Sequence, residues 1–118
     1  MRIPHDIEVT VTMLPTEHGG RSRGVFAGYR PQFYYGSHDW DGAYEFIDTP
    51  EGQEVPLGVA VRAFVGFLSP DEHDGRLEVG SAFLVREGNK VVGFGSVSRI
   101  VDLSKSAAQA RGRRSRSS

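Results

Sequence analysis

The chain has 118 residues, 38% of them hydrophobic and 25% charged, which suits a single domain large enough to bury a core without staples. It holds no cysteine, so disulfides, thiolate metal sites and thiol nucleophiles are excluded. The net charge of −1 is unevenly divided: residues 1–103 carry fifteen acidic and nine basic side chains, a balance of −6, and residues 104–118 carry +5, leaving the tail as the dense site for sequence-independent attraction to phosphate.

The N-terminus, Met-Arg-Ile-Pro-His-Asp, has no signal-peptide character and no apolar run is long enough to cross a bilayer, so a soluble cytoplasmic protein is expected. From Ile7 to Leu14, Ile7, Val9, Val11 and Met13 alternate with Glu8, Thr10 and Thr12, the period of two that marks a half-buried strand. Pro15 to Gly24 has loop composition, with Gly19-Gly20 open to backbone angles closed to other residues. Phe26 to Tyr35 reads as an aromatic strand carrying Pro31 in its middle. A proline cannot donate to a ladder, so this strand is expected to bend, bulge or run along an edge there.

Gly36 to Gly42 reads as a turn-rich connection, Ala43 to Ile47 as a short strand and Asp48 to Pro56 as loop. Leu57 to Leu68 is the longest strand candidate, with apolar residues at Leu57, Val59, Val61, Ala63, Val65 and Phe67. An acidic connection (Asp71, Glu72, His73, Asp74, Gly75) leads to a strand over Gly80 to Glu87, and Gly88-Asn89 suits a tight hairpin turn into a last strand over Lys90 to Leu103. Gly93 and Gly95 within that strand predict a bend or the close approach of a neighbouring backbone.

About six strands and no convincing amphipathic helix indicate an all-β fold, a small antiparallel barrel or sandwich over residues 1–103, and closure would remove exposed edges. Residues 104–118 lack bulky apolar side chains and are expected to form a flexible basic tail.

The chemistry-bearing residues are sparse. His5, His18, His38 and His73 are scattered without metal-ligand spacing, so no metal is expected. His38-Asp39-Trp40-Asp41 is the densest polar cluster, and a general-base role for His38 lacks both a nucleophile and a pocket, while neighbours on an extended segment point to opposite faces. No Gly-x-x-x-x-Gly-Lys-Ser/Thr is present, so no nucleotide or other cofactor is predicted and no residue is assigned a catalytic role.

Glu17-His18-Gly19-Gly20-Arg21, the Gly28-Tyr29-Arg30-Pro31-Gln32-Phe33-Tyr34 run, Asp39-Trp40-Asp41-Gly42 and Val85-Arg86-Glu87-Gly88 with Gly93-x-Gly95 resemble the C-terminal (third) domain of bacterial elongation factor Tu, over roughly Asp6 to Leu103. The resemblance implies a closed six-stranded antiparallel barrel standing without the family's nucleotide-binding and middle domains. It also implies a surface that holds the T-arm of tRNA through the glutamine matched by Gln32, a threonine whose place Asp41 takes, and the glutamate matched by Glu87. A carboxylate at Asp41 repels a phosphate backbone, and the lysine usual before Gly-Tyr-Arg is Ala27.

Two functions follow from the resemblance. The first is a non-catalytic module that binds or mimics a translation component through protein contacts, with Arg21 and Leu84 as candidate contacts, Leu84 standing where the family has a small residue facing the nucleotide domain. The second is RNA binding, of the tRNA T-arm, by Arg30, Gln32, Asp41 and Glu87 with Arg111, Arg113, Arg114 and Arg116 of the tail. Neither involves a membrane or a nucleotide.

Overall fold

A computed structural model describes residues 3–20, 25–26, 29–50 and 52–117, with side chains as far as Arg114. The alternation predicted near the N-terminus becomes strand β1 (Ile7–Met13), whose Ile7, Val9, Val11 and Met13 are buried while Thr10 faces solvent. Five more strands follow: β2 (Gln32–Tyr35), β3 (His38–Phe46), β4 (Ala60–Phe67), β5 (Ala82–Glu87) and β6 (Lys90–Ile100). They are ordered β1-β4-β3-β2-β5-β6 with antiparallel neighbours, and β1 pairs with both β4 and β6, so the predicted closed six-stranded barrel forms. Among the described residues no helix is long and apolar enough to cross a membrane.

Phe33 is fully buried inside the barrel, stacked on Phe83 at 4.2 Å between ring centroids and edge-on to Phe67 at 5.1 Å. It is the one aromatic of the Phe26 to Tyr35 run that is wholly buried, and among the described residues of that run the strand is Gln32–Tyr35. Pro31 lies just before β2, so no ladder bond is sacrificed, and the expected mid-strand bulge is absent.

The turn that follows is also shorter than its composition suggests. Gly36 and Ser37 adopt φ of 58° and 65°, the pair of positive values required by a two-residue type I′ hairpin, and β3 therefore begins at His38. The segment from His38 to Gly42 is strand because it pairs with β2 on one side and reaches β4 on the other. The β4 strand starts at Ala60, three residues later than the apolar alternation suggests, after Gly58 at φ 76°. Val55 lies in the segment of loop composition and Val25 between the first loop and the aromatic run, yet both are fully buried and joined by an isolated bridge.

Gly93 and Gly95 mark a close backbone approach, as predicted. A Cβ at Gly95 would lie 2.4 Å from the Thr10 carbonyl oxygen and 2.7 Å from Cζ of Phe83. Neither can retreat, one being ladder backbone and the other core. Gly95→Ala is therefore expected to cost about 2 kcal/mol, the scale of overpacking a filled interior. Urea unfolding checks this, and a loss below about 0.5 kcal/mol, the size of a surface change, would contradict the close packing.

Residues 103–117 form helix α1 (Leu103–Ser117) where a mobile tail is expected. Leu103 and Ala107, one helical turn apart, are buried, and the hydroxyl of Ser106 donates to Oδ1 of Asp6 at 2.5 Å. Asp6 is itself fully buried and accepts from the Phe67 N–H at 2.8 Å, so one carboxylate ties β4 to α1. The acidic connection holds the helix at both ends, with Ser104 of the first turn donating to Asp74 (2.9 Å) and, in the later turns, Arg111 paired with Asp74 (3.4 Å) and Arg114 with Asp71. Small side chains, hydroxyls and opposite charges anchor this helix, which a count of bulky apolar residues does not detect.

Candidate interaction surfaces

The residues predicted from sequence to contact RNA fall in two places. Gln32 and Asp41 oppose each other across β2 and β3, and the Gln32 amide donates to Oδ1 of Asp41 at 3.1 Å. Gln32 also faces Arg86 on β5, next to Glu87, whose carboxylate accepts from the Tyr29 hydroxyl. Arg30 is exposed just beyond β2, and with Asp41 it lines a groove of about 430 Å³. Arg30, Gln32, Asp41 and Glu87 thus belong to one side of the barrel, and three of the four carry internal hydrogen bonds.

The tail cations are elsewhere. Arg111 and Arg114 are bound to Asp74 and Asp71 of the connection after β4, the side chain of Asp71 being only 6% exposed. Arg113 is exposed on α1, and the side chain of Arg116 lies outside the described residues, as does Arg21. The +5 of the tail is in this way partly neutralised by the acidity of the body.

Leu84 occupies the outer face of β5, since Phe83 and Val85 on either side of it fill the interior. It lies opposite Tyr34 of β2 and Phe94 of β6, and Phe94 lies opposite Thr12 of β1. An apolar row, Tyr34–Leu84–Phe94, therefore crosses three strands on the outside of the barrel, with Phe94 49% exposed. At its edge the Arg86 guanidinium sits 4.6 Å over the Tyr34 ring and 3.5 Å from Asp39. Phe94 has no place among the contacts predicted from sequence. Its only local signal is a large aromatic between two glycines.

A buried polar cluster lies under the acidic connection. His73 is fully buried against Phe67 and Trp40, with Nδ1 2.5 Å from the Tyr35 hydroxyl, and Nε2 of His73 and Nε1 of Trp40 have no hydrogen-bond partner among the described residues. Burial, reinforced by the Arg76 charge, pushes the His73 imidazole down to about 4, and burial raises the Tyr35 hydroxyl. His38 does not join this cluster. It is exposed on β3, edge-on to Trp40, and the neighbouring Asp39 is engaged by Arg86. Among the described residues no three His, Cys, Asp or Glu side chains converge on a site that could hold a metal ion.

Residues 2–101 match the family model described as the Elongation factor Tu C-terminal domain.

Proposed function

The chain belongs to the elongation factor Tu C-terminal domain family, and from that premise we propose that it is a non-catalytic module that binds or mimics a component of the translation machinery through protein contacts. The Tyr34–Leu84–Phe94 row carries this reading. Closure removes every strand edge, so a partner must dock on an outer face, and large apolar side chains standing together outside a barrel are the feature such docking uses. The body charge of −6 favours a partner that is neutral or basic on its docking face.

RNA binding is the second reading, favoured by the match of Gln32 and Glu87 to the family's contact positions. It is weakened by their surroundings. Gln32 donates to Asp41, Glu87 accepts from Tyr29, and Arg111 and Arg114 are held by Asp74 and Asp71, so phosphates would have to compete with internal partners.

Affinity capture from lysate with and without nuclease distinguishes the two. The expected result is recovery of a translation protein after nuclease treatment, persisting above ~200 mM salt, where phosphate-driven binding has fallen steeply. Retention of RNA that salt removes, with no protein recovered after nuclease, would reverse the order of the readings.

A further inference from the structure

The groove beside Arg30 offers a second place for a partner, away from the Phe94 row. Its near wall is the segment Ile3–Pro4, which crosses the outside of β4. That wall is fixed. A Cβ at Gly66 would lie 2.5 Å from the Pro4 carbonyl oxygen, His5 stacks on Phe64 at 3.8 Å and bonds Glu45 at 3.0 Å, and the Asp6 N–H donates to the Val65 carbonyl at 3.1 Å. Ala43 forms the floor and Leu68, 79% exposed, stands at the mouth.

Two charged groups line this apolar space. The guanidinium of Arg30 has no hydrogen-bond or ion-pair partner among the described residues, and Asp41 commits only Oδ1 of its carboxylate, to Gln32. Arginine only donates and a carboxylate only accepts. A phosphate or an acidic ligand meets repulsion from Asp41, and a basic one meets repulsion from Arg30. A neutral peptide unit satisfies both, its C=O accepting from Arg30 and its N–H donating to Asp41.

We propose that this groove binds an extended, uncharged segment of a partner protein, seating one large apolar side chain between Pro4, Ala43 and Leu68 while Arg30 and Asp41 hold the flanking peptide unit. The groove thereby deepens the protein-partner reading, although it requires only a peptide and does not depend on what docks at Phe94.

The test is an amide-resolved NMR titration of the full chain with acetyl-Ala-Phe-Ala-amide, acetyl-Ala-Asp-Ala-amide and uridine 5′-monophosphate. The apolar peptide is expected to shift the amides of Ala43, Gly66 and Leu68 with a Kd of about 1 mM, and the other two probes to bind at least about tenfold more weakly. Leu68→Asp and Arg30→Ala, both at exposed positions, should each weaken the apolar peptide about fivefold or more, and the dispersion of their spectra reports that the barrel is intact. Phe94→Asp should leave this titration unchanged. No shift at ~10 mM peptide, shifts confined to Leu84 and Phe94, or tighter binding of the nucleotide would each overturn the proposal. Failure at the groove with partner capture intact removes this inference alone, and lost capture with the groove titrating normally removes only the Phe94 reading.

Discussion

Phe94→Asp is expected to weaken the captured protein partner at least about a hundredfold, a loss of about 2.7 kcal/mol of the size found at interface hot spots. The residue is 49% exposed on the outer face of β6, with Leu84 on one side and Thr12 on the other, so the new carboxylate meets water and not core in the free protein. Once a partner covers the row, that carboxylate is desolvated without a counter-ion, which costs more than the lost ring contact. Leu84→Asp acts in the same way. Surface plasmon resonance against the captured partner, with thermal unfolding as a check on the fold, makes the comparison. Retention of affinity within about threefold for both variants would remove the row from the interface.

Acidification is expected to destabilise the barrel through His73. In an unfolded chain an imidazole takes up its proton below about pH 6.5, whereas the buried His73 does so only near 4. Its contribution to stability is therefore complete above pH 6.5, declines as pH falls through the interval, and is gone below about 4. The displacement corresponds to about 3 kcal/mol. Asp6 acts in the opposite sense. Burial raises its pKa above 3.8, so the folded state takes up that proton before the unfolded chain does and regains some stability just above 3.8.

The measurement is the urea midpoint at about pH 7.5 and about pH 4.5, compared with His73→Gln, which does not titrate and keeps a hydrogen-bonding group near the Tyr35 hydroxyl. The variant should show a flatter pH dependence whatever its absolute stability. Equal slopes in the two proteins would mean that His73 is solvated and protonated in the fold.

The strands that announce themselves in sequence do so because one face of each is buried. β1 alternates cleanly since β4 pairs with it from Ile7 to Thr12 and β6 from Ile7 to Met13, with one shift at Glu8/Val9 on the β6 side. Gly88-Asn89 and Gly93-x-Gly95 were legible for a related reason. A tight turn and a close backbone approach each restrict the residue type at that position, with Gly88 at φ 60° and Gly93 too close to the Thr12 carbonyl for a Cβ. The family resemblance, carried by the run around Gln32 and by Arg86-Glu87-Gly88, added closure, which alternation alone left open between barrel and sandwich.

What composition and local pattern determined, then, is a six-stranded β-structure with its inward set of residues and an unequal division of charge. The tertiary structure decided the rest. The buried Val25–Val55 bridge and the ordering of α1 both depend on groups distant in sequence, Asp6 with Ser106 being the longest reach. The irregularity between Val85 and Arg86 leaves Phe94 beside Leu84 and sends Val92 into the core, a placement that no single strand specifies. Side-chain direction follows from a strand's own backbone, but which side chains become neighbours on a barrel's outside follows from register and closure, and both candidate surfaces are made of such neighbours.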